Sequence, residues 1–419
     1  MDKLWIRGGR PLEGEVAISG SKNAALPALA ACLLTDEPVL LKRIPPVRDI
    51  GTMEKLVKWT GASLEVDNGD VRIQAASQQN PEAPYDLVKT MRASSLVLGP
   101  LVARSGRARV SMPGGCAIGA RPINLHISAL EALGARISQA HGYVEAEAPN
   151  GLRGGTIRFD RITVTGTEDI VMAAVLAQGE TLIENAAREP EVQDVCALLT
   201  KMGAKIDGAG TSTIRIQGVR KLHGTEHAII PDRIEAGTFM IAAAITGGDL
   251  LLRDCVPEHV AALTERLRHA GAEVSEEGPC TLRVAARDRL KSADITTKEY
   301  PGFATDLQAQ FMALMTTAQG IAFITETIFE NRFMHVLELA RMGANIRLEG
   351  RQAIVAGVAE LTGAQVIASD LRASASLVLA GLVAKGETLI DRVYHLDRGY
   401  ERIEEKLAAV GAEIRRVKE

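Results

Sequence analysis

Cys116 lies in the run PGGCAIGARP, residues 113–122, with Arg121 five residues after it. The glycines around the thiol let the backbone take positive φ and approach a ligand closely, and proline at each end restricts how far the segment wanders. A free thiol titrates near 8.5, and a cation within reach favours the thiolate, so Cys116 beside Arg121 has the make-up of an acid, base or nucleophile. The spacing alone leaves open a small buried hydrophobe on an ordinary turn.

A second set of chemistry-bearing residues emerges from a period. The sequence GA, any residue, then an aliphatic one recurs as GASL at Gly61, GARI at Gly134, GAKI at Gly203, GAEV at Gly271, GANI at Gly343 and GAEI at Gly411. In the same phase an Ala-rich apolar helix pattern, a turn and a β-rich run recur, for example MAAVLAQGETLIE and LVLAGLVAKGETLI. This is a sixfold internal repeat. Fourteen residues before each of the turns that follow the apolar helix stand Lys22, Arg92, Thr165, Arg233, Asp306 and Arg372. All six are expected at helix N-termini, where exposed N–H groups attract anions. Lysine and arginine there oppose the helix dipole by a few tenths of a kcal/mol each, which points to a negative ligand among them. Solvated charges at helix starts would account for any one of them, and capping for Asp306 taken alone.

Each repeat reads as an apolar helix buried on nearly every face, a strand, an amphipathic helix such as VQDVCALLTKMGA with one apolar stripe, and a strand after the GA turn. Buried helices surrounded by sheet follow, an α/β fold. Three repeats to a domain divide the chain near residue 230, with residues 22–230 in one domain and 231–419 in the other. The first strand segment is compatible with either.

With 419 residues the chain exceeds one ordinary core. Its five cysteines form no CxxC, no stretch of eighteen apolar residues occurs, and the start MDKLWIRGGRPLEGE has no apolar signal core, so a cytoplasmic protein off the membrane is expected. A net charge of −4 and 3% aromatic residues supply no footprint for nucleic acid. His223 and His227 lack a third neighbour to complete a zinc site.

The segments SGSKNAALP at Ser19, TMRASS at Thr90, PGGCAIGARP, ENAAREPEVQD at Glu184, PDRIEAGTF at Pro231, YPGFATDLQAQFMAL at Tyr300, ETIFENRFMHVLEL at Glu326, DLRASASLVLAGL at Asp370 and LDRGYERIEEKL at Leu396 resemble the enolpyruvyl transferases across the whole chain. The resemblance implies two inside-out α/β barrel domains of three repeated units each, closing over a cleft, with residues 1–21 belonging to the second domain. It implies transfer of the enolpyruvyl group of phosphoenolpyruvate to the 3-hydroxyl of UDP-N-acetylglucosamine with release of phosphate, the first committed step of peptidoglycan synthesis. No metal or organic cofactor is implied.

By the same resemblance, Lys22, Arg121 and Arg398 match phosphate-contacting positions, Arg92, Arg332 and Arg372 complete a basic set, and Asn23 matches a ligand-contacting amide. Cys116 matches the proton donor. Asp306 matches the group that contacts the 3-hydroxyl and acts as base. Arg92, Arg121, Pro122, Ile123, Asn124, Leu125, Arg161, Ile162, Thr163, Val164, Asp306 and Ile328 match sugar-nucleotide positions, and Asp370 is expected to orient the guanidinium of Arg372 or a neighbour. Cys116 is further expected to be alkylated by the epoxide fosfomycin. Three departures stand out: Asn124 where Asp is usual, Arg161 where Lys is common, and Ala304 for Pro in the YPGFPTD pattern. Two other readings share much of this pattern: a sister transferase acting on shikimate 3-phosphate, and a silent paralogue that binds the sugar nucleotide as a regulator. The Cys116 loop speaks against the first, and Lys22, Cys116, Asp306 and Arg398 present together against the second.

Overall fold

The computed structural model describes residues 2–76, 80–112 and 123–418. Cys116, Arg121 and Pro122 lie outside them. The described chain divides into two compact units, one built from residues 20–112 and 123–230, the other from residues 2–19 and 231–418. Each has a hydrophobic core of its own.

Six helices carry the Ala-rich segments: α1 (Lys22–Ala31), α2 (Leu98–Ser105), α3 (Val164–Ala174), α4 (Arg233–Thr246), α5 (Gln308–Met315) and α6 (Leu371–Val383). Short side chains let these helices pack closely, and they are buried almost throughout. In α1 only Asn23 is not buried, and every residue of α5 is. Within the second unit α4, α5 and α6 pack on one another, and α1, α2 and α3 with their flanking 3-10 turns do so in the first. Apolar residues on all faces need apolar neighbours on all faces, and the helices obtain them from each other and from the sheets. This is the inside-out α/β barrel arrangement, with helices within and sheets without.

The sheets repeat as faithfully as the helices. There are six among the described residues, each of four strands in the same pattern, in which a short parallel strand and an antiparallel pair flank a central strand. The glycine of every GA turn has φ between 88° and 106°. A side chain there would sit in the left-handed region, and glycine ends the preceding helix without that strain.

Connectivity departs from simple repetition at three strands. Asp2–Arg7 lies antiparallel between Glu387–Asp391 and Glu413–Lys418, so the N-terminus supplies the last strand of the sixth repeat. Glu13–Ala17 precedes α1 in sequence but runs parallel to Asp249–Arg253, the strand after α4. Reciprocally, Glu226–Ala228 precedes α4 but pairs with Val39–Lys42, the strand after α1. The two strands are exchanged between the units.

The second helix of each repeat is not uniform. Helix Ala261–Ala270 buries one stripe, Leu263, Thr264, Leu267 and Ala270, as its sequence predicts. Helix Pro190–Lys201 also buries Glu191 and Asp194. Asp194 is taken up by His227, whose Nε2 lies 2.9 Å from Oδ1. Pairing of this kind makes burial of a carboxylate tolerable.

Candidate active site

The six residues read off the repeat phase all stand at the start of a helical segment. Lys22 and Arg233 are the first residues of α1 and α4, Thr165 and Arg372 the second of α3 and α6. Arg92 opens the 3-10 turn Arg92–Val97 that leads into α2, and Asp306 is the middle residue of the turn Thr305–Leu307 that leads into α5.

In the second unit the charges meet. Asp306 receives Arg332 Nη2 on Oδ1 at 2.7 Å and Arg372 on Oδ2, from Nη2 at 2.8 Å and Nε at 3.1 Å. The arginine side chains are 5% exposed and that of Asp306 28%, so the carboxylate is the part that meets solvent. Burial alone would raise the Asp306 pKa, but the charges and hydrogen bonds of Arg372 and Arg332 override it and hold the carboxyl well below the usual carboxylate range. Burial likewise acts to lower the Arg372 value, and Asp306 more than restores it. Around this triad, Gln310 Nε2 donates to the Asp306 carbonyl at 2.9 Å and reaches Tyr400 Oη at 3.1 Å, which lies 2.9 Å from Thr238 Oγ1. The Arg372 guanidinium lies 5.5 Å from the Tyr400 ring centre, and burial pushes the phenol above its usual value.

Asp370 stands immediately before α6. Its Oδ1 caps α6, accepting the backbone N–H groups of Arg372 and Ala373 at 2.9 and 3.0 Å. Asp370 thus fixes the helix start that presents Arg372, while Asp306 takes the Arg372 guanidinium. A short side chain two residues before the arginine is placed to satisfy the free N–H groups of the first turn, which point back toward it. Arg398 ends the 3-10 turn Val393–Arg398 and is half-buried. Ile328 is half-buried, and its N–H bonds to Glu326 Oε1.

In the first unit Lys22 is buried, and its Nζ lies 3.4 Å from Asp49 Oδ2, both side chains being nearly covered. Ser21 caps α1 through the N–H of Ala24 at 3.3 Å. Pro27 inside the helix has no N–H to give the carbonyl of Asn23, which is thereby spared an intrahelical bond from residue 27. Arg92 is half-buried, and burial together with its charge pushes the His126 imidazole down to about 3. Ile123 is buried, Leu125 half-buried and Asn124 exposed at the start of helix Asn124–Ala132. Arg161 is exposed, Ile162, Thr163 and Val164 are half-buried, and Thr163 caps α3 through Gly166 N–H at 3.2 Å.

Nothing in the residue pattern marks Asp49 as the partner of Lys22, nor Thr305 and Glu326 as the groups behind Asp306, although Glu326 opens the ETIFENRF segment. Among the described residues no group of three or more His, Cys, Asp or Glu is placed to hold a metal ion. Guanidinium groups beside one ionised carboxylate can bind a small polyanion and, at the carboxylate, accept a proton from a hydroxyl.

Comparison with known proteins places this geometry in a family. Residues 6–407 match the family model described as EPSP synthase (3-phosphoshikimate 1-carboxyvinyltransferase). Among solved structures, the chain is similar to the enolpyruvyl transferase NikO from Streptomyces tendae, with TM-score 0.88, 26% identity and 99% of each chain covered. It shares the fold of EPSP synthase from Acinetobacter baumannii, with TM-score 0.80 and 20% identity over the full length of both. Curated relatives called UDP-N-acetylglucosamine 1-carboxyvinyltransferase are 70% identical in Solibacter usitatus and 60% identical in Myxococcus xanthus, each covering all of both chains. With a match spanning nearly the whole sequence and a site of clustered cations beside one carboxylate, the chain belongs to the EPSP synthase family of enolpyruvyl transferases.

Proposed function

We propose that the chain transfers the enolpyruvyl group of phosphoenolpyruvate to the 3-hydroxyl of UDP-N-acetylglucosamine and releases phosphate, the first committed step of peptidoglycan synthesis. The observation that carries this reading is 70% identity over the full length of a relative of that name. The family model is described by a different acceptor, 3-phosphoshikimate. Full-length relatives at 60–70% identity and the Cys116 loop favour the UDP-sugar.

Keeping the enol in the product while expelling phosphate requires addition and then elimination. A proton adds to the methylene carbon of phosphoenolpyruvate as the sugar oxygen bonds to C2. Loss of a proton from that same carbon, with phosphate leaving from C2, restores the double bond. In our reading Cys116 delivers the first proton, Lys22, Arg121 and Arg398 hold the phosphate, and Arg92, Arg332 and Arg372 complete the neutralisation. Asn23 contacts the ligand by its amide. The sugar nucleotide lies against Pro122, Ile123, Asn124, Leu125, Arg161, Ile162, Thr163, Val164 and Ile328, with Asp370 supporting Arg372 from the helix start.

Asp306 takes the proton of the 3-hydroxyl. A carboxylate clamped by two guanidinium groups is ionised but weakly basic. An anionic substrate that draws Arg372 toward itself removes part of that hold, so basicity rises once the substrate is bound. No helix among the described residues is long and apolar enough to cross a membrane. The four described cysteines are free thiols, which supports placing the reaction in the reducing cytoplasm.

Mass spectrometry of the reaction mixture tests the assignment. The reading requires UDP-N-acetylglucosamine to gain one enolpyruvyl group per phosphate released, and phosphate release without that product contradicts it.

A further inference from the structure

Glu326 lies 1% exposed at the end of strand Ile321–Thr325. Four donors converge on it. Oε1 accepts from Thr297 Oγ1 at 2.9 Å, Ile328 N–H at 2.8 Å and Phe329 N–H at 3.1 Å, and Oε2 accepts from Thr305 Oγ1 at 2.8 Å. A carboxylate has about four lone-pair directions and no proton, so it accepts in every one of these contacts.

Three of these bonds reach segments that matter for the proposed reaction. Ile328 and Phe329 lie in the segment that leads to Arg332. Thr305 immediately precedes Asp306, and its hydroxyl also accepts Arg332 Nη1 at 3.1 Å. A threonine hydroxyl has one proton. Because Glu326 takes it, the lone pairs of Thr305 face the guanidinium, and Arg332 is held with Nη1 on Thr305 and Nη2 on Asp306. The bond polarity therefore runs from Arg332 through Thr305 to Glu326, and only an acceptor at position 326 fixes it in that direction.

We infer that Glu326 is a positioning residue for the transfer, aiming Arg332 at Asp306 through the Thr305 hydroxyl and, by separate bonds, holding the Ile328 segment against the sugar nucleotide. This rests on the function proposed above and extends it. The two arms are separable, since Thr305 takes part in the first and not in the backbone bonds of the second.

The separation defines the test, read as phosphate release and as KM for UDP-N-acetylglucosamine in the intact chain. Thr305→Val removes the relay and keeps the backbone bonds, so kcat falls about tenfold or more while KM stays within about twofold, a small displacement at the reacting group being costly. Glu326→Gln retains a carbonyl for the two backbone N–H groups but presents an amide donor to Thr305. It should match Thr305→Val, and the double variant should be no slower than either alone. Glu326→Ala loses both arms, and KM should rise in addition. If Thr305→Val and Glu326→Gln keep wild-type kcat and KM, whatever happens to melting temperature, the inference is overturned. The same holds if their effects on kcat multiply. Should Glu326→Ala fail to fold, the other two variants decide. Inactivity of the wild-type chain with phosphoenolpyruvate and the UDP-sugar would instead refute the underlying function.

Discussion

Arg372 places both Nε and Nη2 on a single oxygen of Asp306, Oδ2, at 3.1 and 2.8 Å, while Arg332 occupies Oδ1. The carboxylate is thus engaged on both oxygens, and the base proposed for the 3-hydroxyl starts from a state in which two guanidinium groups hold it. Its low pKa follows from this arrangement.

The pH profile should expose it. An opposite charge in contact typically lowers a carboxyl pKa by about 1–3. Replacing Arg372 with Gln removes one of two such charges, so the acid limb of kcat/KM should move up by about one pH unit or more, beyond any loss of rate. Phosphate release measured from about pH 4 to 9 checks this, a range that spans the ordinary carboxyl and imidazole values. An acid limb at the wild-type position in the variant would mean that Asp306 does not set it.

Fosfomycin should alkylate Cys116 in preference to every other cysteine, faster with the sugar nucleotide present. Burial pushes the thiols of Cys196 and Cys255 up to about 12 and raises that of Cys32 further, so these three hold almost no thiolate at neutral pH. Cys280 is exposed and is the one described thiol placed to compete. Peptide mapping by mass spectrometry locates the adduct, and modification concentrated at Cys280 would contradict the assignment.

Two buried imidazoles make the fold sensitive to acid. Burial lowers His126 to about 3, with the Arg92 charge adding to it, and burial lowers His335 to about 4. An unfolded imidazole titrates near 6.5, so as pH falls below that the unfolded chain gains protons that the folded chain refuses, and stability is lost. At pH 5 each histidine should cost about 2 kcal/mol relative to pH 7.5. The raised carboxyl of Glu168 acts in the opposite sense over the same range, so the difference between variant and wild type is the informative quantity. The urea midpoint of His126→Gln should fall less than that of wild type between pH 7.5 and 5, and parallel falls would contradict the prediction.

Glu168 offers the complementary experiment. It is buried within α3, its Oε1 has no hydrogen-bond partner, and burial followed by the charges of Glu191, Glu189 and Asp169 raises its pKa well above the ordinary value. A raised carboxyl costs stability as pH climbs above the unfolded value near 4.3, by about 1.4 kcal/mol for each pH unit between that value and the folded one. Glu168→Gln should therefore be the more stable chain at pH 8, and the advantage should vanish below pH 4. Chemical denaturation at the two pH values measures it, and a less stable variant at pH 8 would show that the ionised form is held by a favourable contact.

What the sequence disclosed and what it withheld have distinct physical origins. The repeat was legible because helix burial and glycine φ impose local, periodic demands on residue type, which is why Lys22, Arg92, Arg233, Asp306 and Arg372 could be placed at helix starts from the period alone. The pairing of the first strand was not, since Asp2–Arg7 pairs with Glu387–Asp391 at the far end of the chain and no local pattern encodes its register. Likewise the bonds from Glu326 to Thr305 and from Lys22 to Asp49 join segments that lie apart in sequence and share no period. At Asp370 the interval of two residues to Arg372 is also the one that reaches the backbone N–H groups of the first turn, a role the residue type alone does not separate from a side-chain contact.

Acceptor choice is the most direct test of the whole account. Phosphate release from phosphoenolpyruvate should be followed in parallel with UDP-N-acetylglucosamine and with shikimate 3-phosphate. Release with the UDP-sugar alone is expected. Release with shikimate 3-phosphate alone, or binding of the UDP-sugar with no release from either, would contradict it.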